Sequence, residues 1–133
     1  MPITVETLSE ATYQDQQDLL KIYRDAPQWL FEPFADGARL IEHCLTDGSL
    51  IAGRFNDRLL GAARLQRHDD VWYLSQLCVR EVTRRRGVAE RIVNEASTLA
   101  SRSGATLKLL APAGHVEVQA LAAKLKVTLE ARP

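Results

Sequence analysis

The sequence contains little cysteine, no excess of either charge and no long apolar stretch. Its two cysteines, Cys44 and Cys78, are too few for a disulfide framework and lack the spacing of a metal site. Seventeen basic residues balance seventeen acidic ones, which argues against a general nucleic-acid-binding protein. No apolar run approaches the ~20 residues that cross a bilayer, and the first ten residues do not resemble a signal peptide. We therefore expect a cytoplasmic protein without a metal site, whose partners are neither nucleic acids nor membranes.

Composition and periodicity predict an α/β fold. Of the 133 residues, 46% are hydrophobic and 26% are charged, which is typical of globular domains. Neither a repeat nor a linker divides the chain, so we expect a single domain over residues 1–133. The predicted strands are 3–8, 49–55, 58–67, 71–79, 106–110 and 127–130. The predicted helices are 13–24, 38–45, 87–101 and 116–125, and 28–36 is predicted to be an aromatic loop.

A charged turn joins the fourth predicted strand to the third predicted helix. Arg84, Arg85 and Arg86 precede Gly87, where the helix is predicted to begin. The first N–H groups of a helix lack internal partners and attract anions, whereas arginine cations oppose the dipole there. An anionic ligand such as a pyrophosphate therefore explains three arginines better than a solvated surface does. Gly87 and Ala89 are small, which leaves room for a phosphate.

This turn resembles the acetyl-CoA motif of the GNAT superfamily, the Gcn5-related N-acetyltransferases. The motif has Gln or Arg, two residues, Gly, one residue, and Gly or Ala, after a strand ending in Leu-x-Val. Here Arg84, Gly87 and Ala89 follow Leu77 and Val79. The resemblance covers nearly the whole chain. It implies a GNAT-type mixed central β-sheet flanked by helices on both faces, with a short C-terminus.

The resemblance also implies acetyl-CoA, or CoA, as a ligand. Backbone amides of about residues 85–89 would hold the pyrophosphate, and the backbone of Leu77 and Val79 would pair with the pantetheine arm. The cofactor-binding residues expected from the resemblance are Leu77, Cys78, Val79, Thr83, Arg84, Arg85, Arg86, Gly87, Val88, Ala89 and Glu90.

The strand 71–79 lacks the usual catalytic groups of that superfamily. Acetyl transfer to an amine needs a base and usually an acid, which many members supply as a carboxylate on this strand and a tyrosine on the last helix. The strand has no carboxylate, and no tyrosine follows Tyr73. We therefore identify no catalytic residue. Regular alternation would place the odd-numbered residues from Tyr73 to Val79 on one face, and the even-numbered residues on the other.

Longer stretches resemble one family within the superfamily. The sequence VREVTRRRGV, residues 79–88, has Glu81 where most GNAT relatives carry proline. It resembles the PanZ/PanM family, the acetyl-CoA-sensing regulators of aspartate 1-decarboxylase. Residues 52–64 resemble that family's ARFNERLLAAVR segment, and residues 17–23 resemble its first helix.

The family resemblance implies a regulatory factor. Such a protein binds acetyl-CoA, docks on aspartate 1-decarboxylase, promotes self-cleavage of the zymogen and regulates the mature enzyme in pantothenate synthesis. Arg54 and Asn56 are the docking residues that the resemblance implies. From the residues alone, Asn56-Asp57 is equally explained as a tight hairpin turn, and Arg54 as a solvated strand residue. An N-acetyltransferase, or a CoA-binding domain with another partner, is the alternative.

Overall fold

A mixed β-sheet organises the part of the chain described by the computed structural model, which is residues 2–24, 26–80 and 87–132. Its six strands lie in chain order across the sheet. They are β1 (Thr4–Thr7), β2 (Leu50–Phe55), β3 (Arg58–His68), β4 (Val71–Val79), β5 (Thr106–Pro112) and β6 (Thr128–Arg132). The helices are α1 (Tyr13–Tyr23), α2 (Gln28–Phe31), α3 (Gly37–Asp47), α4 (Val88–Arg102) and α5 (Val116–Leu125).

The strand pairing changes from antiparallel to parallel at β4. Strands β1 to β4 pair antiparallel, whereas β4 pairs with β5 and β5 with β6 in parallel. Parallel neighbours need a long crossover connection, and α4 and α5 provide the two crossovers. The predicted α/β class and the mixed sheet are confirmed, and each predicted strand and helix lies within two residues of an observed one.

Two hydrophobic clusters cover the two faces of the sheet. Successive residues of a strand point to opposite faces, so Leu50 and Ile51 of β2 belong to different clusters. The cluster under α4 includes Ile51, Ile92 and Val93. The cluster under α1 and α3 includes Leu50, Leu19 and Leu40. Helices therefore pack on both faces, as expected.

The segment 28–36 contains a helical turn, so the prediction of an aromatic loop there is wrong in part. Pro27 precedes α2, and proline has a fixed backbone angle that suits the start of a helix. Leu30 and Phe31 are buried in the cluster under α1 and α3. Burial of these two side chains favours the turn, which the sequence pattern is too short to reveal.

Helix α4 packs very closely on the sheet at its first residue. A Cβ atom added to Gly61 of β3 would lie 2.9 Å from Val88 Cγ1 and 3.1 Å from Val79 Cγ2. Glycine at this position therefore lets the N-terminus of α4 approach the end of β4. This contact determines where the first turn of α4 lies relative to the centre of the sheet.

Candidate functional site

Strands β4 and β5 separate from each other before they end. Their described pairing runs from Val71 opposite Thr106 to Leu74 opposite Leu109. A cavity of about 500 Å³ lies where they part, between residues 75–79 of β4 and the end of β5. This edge of β4 is therefore available to a ligand that can pair with a strand.

The cavity walls are mainly apolar and come from five elements. Leu74 to Val79 of β4 and Leu109 to Ala111 of β5 form two walls. Ala26, Pro27, Trp29 and Leu30, at and before α2, form another. Val118 and Leu121 of α5, together with Ala89 of α4, complete the apolar lining, and His115 and Glu117 add polar groups. A narrow apolar chain with a few hydrogen-bonding groups matches these walls.

A bulge at Gln76 interrupts β4 beside the cavity. Gln76 has a φ of +55°, in the left-handed region that residues other than glycine rarely adopt. The Tyr23 hydroxyl donates a hydrogen bond to the Gln76 carbonyl oxygen at 2.8 Å. The bulge reverses the side-chain alternation, so Leu74 and Leu77 both contact the cluster under α4, whereas Cys78 lies in the cluster on the opposite face. The predicted regular alternation is therefore wrong, because an extra residue shifts the register.

The predicted cofactor residues of β4 all line the cavity. Leu77 and Val79 contact the cluster under α4, and Cys78 packs on the opposite face. The Cys78 thiol is buried and donates to the Ile22 carbonyl oxygen at 3.2 Å.

The predicted residues of α4 lie around its N-terminus. Gly87 precedes the helix with a φ of +80°, and a Cβ added there would meet no atom of the described residues within 4 Å. Ala89 lines the cavity, whereas the Val88 side chain is buried in the core. Glu90 forms an ion pair with Lys124 at 3.0 Å. The predicted phosphate contacts Thr83, Arg84, Arg85 and Arg86 lie outside the described residues.

The β2–β3 hairpin carries Arg54 and Asn56, and it lies at the end of the sheet where β4 also ends, because Gly61 near the start of β3 pairs with Val79. Asn56 and Asp57 have φ values of +48° and +66°, which identifies a tight turn. Arg54 donates to both carboxylate oxygens of Asp15 at 3.0 and 3.2 Å, and to Glu6 Oε1 at 3.0 Å. Arg54 is therefore not a solvated strand residue, because its guanidinium joins the hairpin to α1 and β1.

A second arginine–aspartate pair lies next to the first. Arg58 donates to Asp18, with a shortest distance of 2.7 Å, and the Leu59 N–H donates to the same carboxylate at 3.1 Å. Burial of Asp18 opposes its ionisation, but the bonds from Arg58, Leu59 and Gln14 outweigh burial and lower the pKa of this carboxyl. The hydrogen bonds from Arg54 lower the pKa of Asp15. Both carboxylates are therefore held in their charged form.

The PanZ acetyltransferase (GNAT) domain family has a sequence profile that matches residues 2–128. This chain belongs to the PanZ family.

Relatives of this PanZ-family chain include two enterobacterial proteins. The PanD regulatory factor of Salmonella typhimurium strain LT2 is 35% identical over 95 residues, which are 71% of this chain and 66% of that protein. The PanD regulatory factor of Escherichia coli strain K12 is 32% identical over 114 residues, which are 86% of this chain and 80% of that protein.

Solved GNAT structures share the fold at low sequence identity. The PaiA N-acetyltransferase of Thermoplasma acidophilum, determined with coenzyme A, matches with a TM-score of 0.68 at 14% identity. The match covers 93% of this chain and 88% of that one. At this level of identity, the likeness establishes only the fold of this PanZ-family chain.

Gln76, Trp29 and His115 line the cavity and are among the residues that were not predicted as site residues. Gln76 is polar within an otherwise mostly apolar strand, which is a usable but weak signal. Trp29 and His115 contact each other across the cavity with ring centroids 4.1 Å apart. No local pattern connects these two rings, because they come from α2 and from the residue before α5.

The described residues of this PanZ-family chain contain neither a candidate metal site nor a candidate membrane span. Within residues 2–24, 26–80 and 87–132, no group of three or more His, Cys, Asp or Glu side chains is placed to hold a metal ion. In the same ranges, no helix has the length and apolar character that crossing a membrane would require.

Proposed function

We propose that this PanZ-family protein is an acetyl-CoA-dependent regulatory factor of aspartate 1-decarboxylase, the enzyme meant by PanD. It would dock on the zymogen in the cytoplasm, promote its self-cleavage and regulate the mature enzyme in pantothenate and CoA synthesis. The observation that carries this proposal is the family match over residues 2–128, which spans both the cavity and the hairpin. The two PanD regulatory factors among its relatives support it.

The cavity fits the pantetheine arm of CoA. Its walls are mainly apolar, and the edge of β4 beyond Leu74 is not paired with β5 in the described register. The backbone of Leu77 and Val79 would pair with the arm, and the backbone around Gly87 at the start of α4 would hold the pyrophosphate. Arg84 to Arg86 would add charge for the phosphates. The acetyl group as the preferred acyl group is the finer part of the proposal.

Helix α1 gives a physical reason why the ligand and the partner would influence each other. Its first half holds the hairpin through Asp15 and Asp18. Its last residue, Tyr23, bonds the carbonyl of Gln76 beside the cavity. One rigid helix therefore contacts both regions. Acetyl-CoA would favour the state of this protein that binds the decarboxylase, and binding of the decarboxylase would favour acetyl-CoA equally.

The decarboxylase would perform the cleavage chemistry, and this chain would select a conformation of its scissile loop. The test mixes this protein with the host's uncleaved decarboxylase, with acetyl-CoA, with CoA or with neither, and follows cleavage by intact mass. Catalytic and stoichiometric amounts of this protein are compared. We expect faster cleavage only when this protein and acetyl-CoA are both present. No acceleration and no complex would contradict the proposal.

Acetyl transfer to an amine is the second candidate, and one observation favours it. His115 and Glu117 line the cavity, and imidazole and carboxylate side chains are the groups that enzymes most often use as general acids and bases. An acetylated amine that accumulates beyond one equivalent of protein, with release of CoA thiol, would establish this activity.

A further inference from the structure

Two residues that line one cavity each have a buried polar side-chain atom without a hydrogen-bond partner. In the described part of the chain, three buried side-chain polar atoms lack a partner, namely Arg64 Nε, Gln76 Oε1 and His115 Nδ1. Gln76 and His115 both line the cavity between β4 and β5, from different walls. Buried polar atoms in native proteins are nearly always bonded. These two atoms therefore indicate that the occupant of the cavity carries hydrogen-bonding groups.

The orientation of the Gln76 amide is determined by its surroundings. Its Nε2 donates to the carbonyl oxygens of Phe31 at 3.3 Å and Glu32 at 2.9 Å. Exchanging the positions of nitrogen and oxygen would set Oε1 against two carbonyl oxygens, which all accept hydrogen bonds. Oε1 is therefore turned away from these carbonyls. The residue is buried, with only 5% of its surface exposed.

The backbone of Gln76 is also held in an uncommon conformation. Its φ is +55°, and the Tyr23 hydroxyl holds its carbonyl oxygen. Residues in such conformations persist where surrounding contacts enforce them, and they cluster at ligand sites. The bulge and the two Nε2 bonds together place one fixed acceptor beside the cavity.

We infer that Gln76 Oε1 accepts a hydrogen bond from the amide N–H of the pantetheine arm that is nearer the thioester. This inference rests on the proposed function, because it assumes a CoA thioester in the cavity. An acceptor needs a donor, and the acetyl carbonyl has none, whereas the arm carries amide N–H groups. Gln76 lies three residues before Val79, which is at the end of β4 nearest α4. Three residues of a strand span about 10 Å. Of the amides in the pantetheine arm, the one nearer the thioester lies farther from the phosphates, and it is therefore the one expected to reach Gln76.

The test is a cycle between a protein variant and a ligand variant. Calorimetry measures binding of acetyl-CoA and of an analogue in which oxygen replaces that amide N–H, to the unsubstituted protein and to Gln76→Met. We expect the unsubstituted protein to bind the analogue about tenfold more weakly, and Gln76→Met to bind both ligands equally. Tyr23→Phe is the matched control. It removes the bond to the Gln76 backbone but keeps Oε1, so the tenfold preference should remain.

A second readout avoids dependence on folding of the variant. In the unsubstituted protein, the side-chain carbonyl ¹³C resonance of Gln76 should shift when acetyl-CoA binds and stay near its free position with the analogue. Equal affinity of the unsubstituted protein for both ligands would overturn the inference and leave the proposed function intact. A tenfold preference that persists in Gln76→Met would also overturn it. No binding of acetyl-CoA at all would overturn the inference and the proposed function together.

Discussion

Two regions of the sheet, the β2–β3 hairpin and the β4–β5 opening, differ in how completely their polar groups form hydrogen bonds. At the β2–β3 hairpin, Arg54 and Arg58 each bond a carboxylate of α1, and Asp18 accepts bonds from three residues. At the β4–β5 opening, the pairing stops at Leu74, and Gln76 has an unbonded oxygen. The hairpin is therefore complete in the free protein, as a rigid docking surface should be. The opening would be completed by the proposed ligand.

The largest expected effect comes from adding charge at the start of α4. Gly87→Glu should lower acetyl-CoA affinity at least a hundredfold, because glutamate would repel the pyrophosphate and glycine alone suits the φ of +80°. Calorimetry measures the affinity.

Gly104→Glu is the matched control for Gly87→Glu. Gly104 lies just past the other end of α4 and has a φ of +74°, and a Cβ added there would also meet no atom within 4 Å. This variant should have similar backbone strain and the same added charge, but its affinity for acetyl-CoA should equal that of the unsubstituted protein. Equal loss of affinity in both variants would show that strain, rather than the position of the charge, is responsible.

The next largest effect should be a loss of stability at the hairpin rather than a loss of ligand affinity at the β4–β5 opening. Asp18→Ala removes a fully buried carboxylate that bonds Arg58 and the Leu59 N–H. We expect the free energy of unfolding to fall by about 3 kcal/mol, since a buried backbone donor loses its acceptor. Urea unfolding measures the loss, and Asp70→Ala, in an exposed turn, is the control. Acetyl-CoA affinity should fall far less than in Gly87→Glu, because Asp18 acts on the cavity only indirectly, through α1. A loss of affinity as large as that of Gly87→Glu would contradict the contrast between the two regions.

A smaller effect tests the hairpin as a docking surface. Asn56 and Asp57 both have positive φ, so glycine at either position keeps the turn while removing one side chain. Asn56→Gly should weaken the complex with aspartate 1-decarboxylase about tenfold, equivalent to ~1.4 kcal/mol. Asp57→Gly is the control and should bind normally. Equal binding by both variants, measured by surface plasmon resonance, would remove Asn56 from the proposed docking surface.

Local pattern was sufficient for most of the fold. Thr12 and Asp15 form reciprocal bonds at the start of α1, and this pair of residue types at this spacing is typical of a helix N-terminus. Helices and strands followed the apolar periodicity, because each has one face on a core. The bulge at Gln76 was not predicted, since β4 has apolar residues at both odd and even positions and therefore does not mark a shift of register clearly. Its causes are Tyr23 and the carbonyls near α2, which are distant in sequence.

The site was predicted to the extent that one continuous segment carries it. Leu77 to Val79 and Ala89 line the cavity, and a motif read along the chain names all of them. Trp29 and His115 were missed because tertiary packing alone brings their rings together. From the residues alone, Arg54 was interpreted as a solvated strand residue, and its docking role was implied only by the resemblance. Its partners on α1 and β1 could not be seen before the strands were paired.

The smallest expected effect is a pH dependence confined to the hairpin. Bonds from Arg54 lower the pKa of Asp15, and for Asp18 bonds from Arg58 and its neighbours outweigh burial and lower its pKa too. The unfolded chain, with carboxyls near pKa ~3.9, therefore binds protons before the folded one does. The stabilisation is complete above that value and is lost as the pH falls through the lower folded values.

Urea unfolding from pH 6 to pH 2 measures this loss, and Asp18→Asn should make the fall shallower. Some loss of stability at low pH should remain in this variant, because Asp15 and Asp47 also have lowered pKa values. The matched control is Asp70→Asn, whose side chain is exposed, and its profile should follow that of the unsubstituted protein. An unchanged slope in Asp18→Asn would mean that the hairpin is not held by ionised Asp18. In that case the hairpin would no longer be the electrostatically complete region, and its contrast with the β4–β5 opening would rest on Arg54 alone.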